Sequence, residues 1–162
     1  MQMAALESLG THGEIILVRD AGNDVITGAL TAVLASVFGS HAAAVRVIGV
    51  KAKRYYEKKN EGAAAARGEI LVFLDSDVIP EPRWLEQLLA AFDDSVVDVV
   101  GGSTYISPDT LYSRAFAAFW FFPPRSSDEG LASADGLFGN NIAFRSSVFQ
   151  SSQYPTVGQF RG

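Results

Sequence analysis

Two carboxylates one residue apart, Asp75 and Asp77, stand directly after the apolar run "EILVFL" (69–74). An unpaired carboxylate is costly to bury, so a strand that ends this way either holds the pair in solvent or sets it against a positive charge. With a spacing of two, both side chains project to the same side while the backbone stays extended. Such a pair suits a hard cation, Mg²⁺ or Mn²⁺, which takes one or two carboxylates and completes its shell with phosphate oxygens and water. A turn-forming, helix-capping pair before Pro80 is the alternative that the triplet alone leaves open. Other polar residues flank apolar or alanine-rich runs in the same way. They are Asp20 after "EIILVR", Lys58, Lys59, Asn60 and Gly62 around an alanine run, and Gly139 with Asn141 ahead of "IAF".

The elements that must position these residues follow from periodicity. "EIILV" (14–18), "VRVIGV" (45–50), "EILVFL" and "VVDVVGG" (96–102) are short runs rich in β-branched residues and predict buried strands. Between them, helices are expected over 2–9, 25–38 and 51–67, the last stopped by Gly68. A further helix is expected with Pro82 in its first turn and Trp84, Leu85, Leu88, Leu89 and Phe92 on one face. An aromatic helix (111–122), a polar loop "RSSDEGLASADG", a strand "NIAF" and a short helix from Ser146 complete the chain. Strands alternating with helices predict an α/β domain with a mainly parallel sheet. Ligands bind outside the carboxyl ends of such strands, where Asp20, Asp75 and Asp77 fall.

Composition narrows the partners. The 162 residues are 48% hydrophobic and 19% charged, with a net charge of −5, which fits one globular domain and gives no basic surface for nucleic acid. The absence of cysteine excludes disulfides and thiolate metal sites, and His12 and His41 alone argue against a multi-histidine zinc site. The apolar stretch 25–50 is broken by Gly39, Ser40, His41 and Arg46, so a soluble helix followed by a strand is expected rather than a membrane span. "AFAAFWFF" (115–122) is too short to cross a bilayer; it is either buried or rests on a membrane surface. No basic region precedes the first apolar residues, so no signal peptide is expected. The expected location is cytoplasmic, at the membrane face if 111–122 is interfacial.

"KKNEGAAAARGEILVFLDSDVIPEPRWLEQLL" (58–89) closely resembles the family 2 glycosyltransferases, in which Asn-x-Gly and an alanine-rich helix lead through "ARGE" to a strand with an Asp-x-Asp motif. "EIILVRDAGND" (14–24) resembles the family's second strand with its acidic loop, and "FGNNIAFRSSVF" (138–149) its later strand beside the acceptor site, in the right order. The resemblance implies the GT-A fold, a three-layer, Rossmann-like nucleotide-diphospho-sugar transferase. Residues 1–102 would form its nucleotide-sugar part and 103–162 the start of its acceptor part. It implies that Asp77 binds the divalent ion, with Asp75 beside it near the ribose, and that Asp20 contacts the base, commonly uracil. Asn60 and Gly62 would form a turn near the nucleotide, Lys58 or Lys59 would offset phosphate charge, and Gly139 with Asn141 would line the acceptor side. The implied reaction moves a sugar, with inversion, from a nucleoside-diphosphate sugar, UDP foremost, to a glycan or lipid-linked acceptor.

Three departures accompany the resemblance. The family's opening strand, reading like "VSVVIPTYN", has no counterpart; Arg19 stands where an acid is usual; and no Asp or Glu follows Asp135. Asp135 is therefore the nearest candidate base, with Asp128 and Glu129 behind it. The expectation is an incomplete piece of a longer enzyme, and the alternative is an inactive nucleotide-binding domain. A haloacid dehalogenase-like phosphatase, with Asp75 as nucleophile and Asp77 as acid/base, lacks the later lysine it needs, because the last lysine is Lys59.

Overall fold

The computed structural model describes residues 13–22, 28–30, 32–33, 36, 45–52, 54–106, 110–119 and 130–156. Their β-branched runs form the expected strands. β1 (Ile15–Asp20) pairs in parallel with β2 (Val45–Val50), from Ile15↔Val45 to Asp20↔Val50. The remaining three strands make a separate sheet. β5 (Asn141–Arg145) lies between β3 (Ile70–Leu74) and β4 (Val99–Gly101) and runs antiparallel to both. The architecture is thus α/β, with a parallel pair and an antiparallel three-stranded sheet in place of one continuous parallel sheet. Among the described residues no ladder joins the two sheets, so β1 and β3 each keep an edge without a strand partner.

The three-stranded sheet is covered on both faces, because successive side chains of a strand alternate. Ala143, fully buried, packs with Val100 against Leu88, Ala91 and Phe92. These last three come from α2 (Trp84–Ala90) and the 3₁₀ turn that continues it, Ala91–Asp93. The helix starts two residues after Pro82, following Arg83 in a left-handed conformation (φ 63°). The Arg145 guanidinium secures this face by donating to the carbonyls of Val97 (2.9 Å), Phe92 (2.9 Å) and Asp94 (3.1 Å). On the opposite face Phe73 and Phe144 meet Phe149 of α4 (Ser146–Ser151) and Tyr154, with ring centroids 4.9–6.3 Å apart.

α1 (Tyr55–Ala65) joins the two sheets. It has no fully buried residue and no apolar stripe, so polar ties fix it. At its far end Arg46 donates to Glu14 (2.8 Å) and to the Ala65 carbonyl (2.5 Å), and the Arg67 amide donates to Glu14 (2.6 Å). Gly62 lets the helix lie close on β1: a Cβ there would stand 2.8 Å from Val18 Cγ2. α3 (Leu111–Phe119) leaves Leu111, Tyr112 and Phe116 exposed. The expected helix at 2–9, most of that at 25–38, the histidines, 120–122, Asp128 and Glu129 lie outside the described residues.

Candidate donor site at the strand ends

The carboxyl ends of β1 and β3 carry Asp20 and Asp75, and consecutive lysines of α1 reach them. Lys58 Nζ stands 2.6 Å from Asp20, at the mostly exposed end of the parallel pair. Lys59 Nζ stands 2.8 Å from Asp75, at the end of the antiparallel sheet, and both partners there are largely buried. Successive helical residues point about 100° apart, so one turn of α1 serves both sheets. Beside Asp20, Ala21, Val50 and Lys51 line an open cleft of about 510 Å³ at the ends of the parallel strands.

Asp75 is held from every side. Its amide donates to the Asn140 carbonyl (2.9 Å), and the Tyr55 hydroxyl donates to both carboxylate oxygens at 2.5 Å. Lys59 also donates to the Gly139 carbonyl and lies 4.6 Å from the Tyr55 ring centroid. Burial lowers the Lys59 pKa, and the bond to Asp75 opposes that shift. Burial, then the bond to Asp75, pushes the Tyr55 hydroxyl far above the ordinary phenol range.

The extended backbone expected through Asp75 and Asp77 does not persist. The Val78 amide donates to the Asp75 carbonyl (3.1 Å), closing a turn straight after β3. The turn sends Asp77 to solvent, while Asp75 stays tucked against α1. Asp77 has no hydrogen bond or ion pair among the described residues. The two carboxylates are therefore unequal: one is neutralised internally and one is free. No group of three or more His, Cys, Asp or Glu able to hold a metal occurs among the described residues. Mg²⁺ and Mn²⁺ do not need one, since a single carboxylate with phosphate oxygens and water suffices, and Asp77 fits that part.

Asn60 and Gly62 lie inside α1 rather than in a turn. The Asn60 side chain donates to the Tyr154 carbonyl (2.8 Å) and accepts from the Tyr154 amide (3.1 Å), clamping the segment after α4 onto the helix. Arg54 adds a bond to the Thr156 carbonyl (2.5 Å), and Tyr56 stacks on Tyr154 at 4.7 Å. Gly139 joins the Asp75 cluster through its carbonyl. Asn141 does not: it is buried at 3% exposure and accepts from the Trp84 indole N–H (2.9 Å). Gly102 makes room for it, as a Cβ there would stand 2.3 Å from Asn141 Nδ2. Asp135 is exposed in the loop before β5, and none of the cluster's bonds reaches it.

Tyr55 and Tyr154 were missed by sequence reasoning. Tyr55 had a signal, since it stands four residues before Lys59 and so on the same helix face. Tyr154 had none, because its contacts with Asn60 are long-range.

Residues 5–151 match the family described as Glycosyl transferase family 2. Two proteins of Haloferax volcanii are also similar. Glycosyltransferase AglE is 40% identical over 62 residues, covering 36% of this chain and 20% of the relative. A glucosyl-dolichyl phosphate glucuronosyltransferase is 26% identical over 101 residues, covering 56% of this chain and 31% of the relative. The chain thus spans about a fifth to a third of the length of the curated relatives it matches. The chain belongs to glycosyl transferase family 2 and has the GT-A fold, which removes the phosphatase alternative.

Proposed function

We propose that this chain supplies the donor-binding part of an inverting transferase that moves a sugar from a nucleoside-diphosphate sugar, UDP foremost, to a glycan or lipid-linked acceptor. The observation that carries the reading is the free Asp77 carboxylate at the carboxyl end of β3, beside an Asp75 already neutralised by Lys59. The base and ribose would lie along the cleft of Asp20, Ala21, Val50 and Lys51, and the diphosphate would lie toward Asp77. A divalent ion there would offset the charge that develops on the departing diphosphate. Lys58 and Lys59 offset the charges of Asp20 and Asp75, each ammonium facing one carboxylate, so the positive charge that would receive an anion is that of the divalent ion on Asp77.

The lipid-linked acceptor draws support from the relative named for a dolichyl phosphate substrate. It draws further support from α3, whose Leu111 and Tyr112 are 85% and 78% exposed, as suits contact with a membrane surface. Among the described residues no helix is long and apolar enough to cross a membrane. The attacking hydroxyl needs a base within hydrogen-bond reach, and Asp135 is the candidate among the described residues.

Calorimetric titration of UDP with and without Mn²⁺ tests the reading. Mn²⁺-dependent binding that disappears in Asp77→Ala is the expected result. UDP binding that ignores both Mn²⁺ and Asp77 would overturn the assignment.

A further inference from the structure

The Asp75 cluster has a feature that metal binding alone does not require: a lysine already sits in it. The Lys59 side chain is 11% exposed and that of Asp75 20%. Around Nζ stand the Asp75 carboxylate at 2.8 Å, the Gly139 carbonyl, and the faces of Tyr55 and Phe73 at 4.6 and 5.7 Å. Oxygen ligands with aromatic walls make a seat for a cation. Three independent parts of the fold build it: α1, the turn after β3 and the loop before β5. Tyr55, one helical turn from Lys59, holds both oxygens of the same carboxylate and fixes its plane.

We propose that Lys59 is the resident cation of Asp75, so that a divalent ion reaches this chain through Asp77 and not through the pair. Asp75 is then a positioning residue. It locks α1 to the end of β3 and keeps the Lys59 charge next to where a diphosphate would lie. The turn at Asp75–Val78 completes the arrangement by turning the second carboxylate to solvent. This deepens the donor-site reading and rests on it only for what the ion does to a diphosphate.

The test uses Mn²⁺ alone, with no nucleotide, on the full 162-residue chain. Bound Mn²⁺ is read by electron paramagnetic resonance, and melting temperature is followed as Mn²⁺ is added. Lys59→Met keeps the aliphatic stem and deletes the charge, leaving a largely buried carboxylate uncompensated. That variant should bind Mn²⁺ about tenfold more tightly than the native chain or better, since a second protein carboxylate becomes available. At equal Mn²⁺ its melting temperature should rise further than that of the native chain, which binds through Asp77 alone. Lys59→Met/Asp75→Asn should lose both gains. Lys59→Gln, which keeps a donor for Gly139 without the charge, provides the same comparison should the methionine variant not fold. Folded variants that bind Mn²⁺ no better than the native chain would overturn the proposal. Because no nucleotide is present, a native chain that fails to bind UDP would sink the donor reading without deciding this one.

Discussion

The two sheets are held in place by different physics. The three-stranded sheet has an apolar core on both faces, with Ala143 at 0%, Phe149 at 1% and Leu88 at 5% exposure. The parallel pair has a single buried side chain among its described strand residues, Val50. Its ties to α1 are polar or close-packed: Glu14 with Arg46 and Arg67, Asp20 with Lys58, and Gly62 against Val18. Apolar burial is non-directional and accumulates with area, whereas a half-exposed ion pair contributes little. Among the described residues, the half with the apolar core carries Asp75 and Asp77, while the half beside the cleft has little buried side-chain surface and is expected to open at lower free energy.

The largest effect should come from the core. Phe149→Ala removes a ring packed within 4.9–5.5 Å of Phe73, Phe144 and Tyr154, at a cost of about 3–5 kcal/mol. Denaturant unfolding measures it. A loss well below that range would mean that the aromatic face does not anchor the sheet, and the contrast between the halves would break.

A smaller effect sharpens the same contrast. Gly62→Ala places a methyl group 2.8 Å from Val18 Cγ2. Overpacking of this kind costs about 1–3 kcal/mol, offset by about 1 kcal/mol from the better helix propensity of alanine. The loss should be local. Amide exchange should quicken in β1 and β2 while β5 keeps its protection. Equal quickening in β5 would show that the two halves unfold as one.

The sequence made much of this legible, for reasons tied to particular residues. β2 falls on 45–50 as expected, because "VRVIGV" is bounded on both sides by residues that do not continue its pattern. The core face of α2 follows from the helical spacing of Leu85, Leu88 and Phe92. Pairing was beyond reach. Nothing local in "NIAF" announces that it runs antiparallel between β3 and β4, since ladders join residues far apart in sequence. The departure of the chain from extended geometry at Asp75 has a local cause, the Val78–Asp75 bond. The tie to Lys59 and Tyr55 needs the packed helix and only becomes visible with it. Asn60 and Asn141 show the same limit: their side chains meet Tyr154 and Trp84, partners 94 and 57 residues away.

The central claim is that α1 joins the ends of both sheets into one donor site. Hydrogen exchange of the native chain, with and without UDP and Mn²⁺, tests it most directly. The account predicts added protection in three places together: Asp20–Ala21 and Val50–Lys51 beside the cleft, the turn from Asp75 to Val78, and the first turns of α1. Protection confined to one sheet, with the other unchanged, would contradict it.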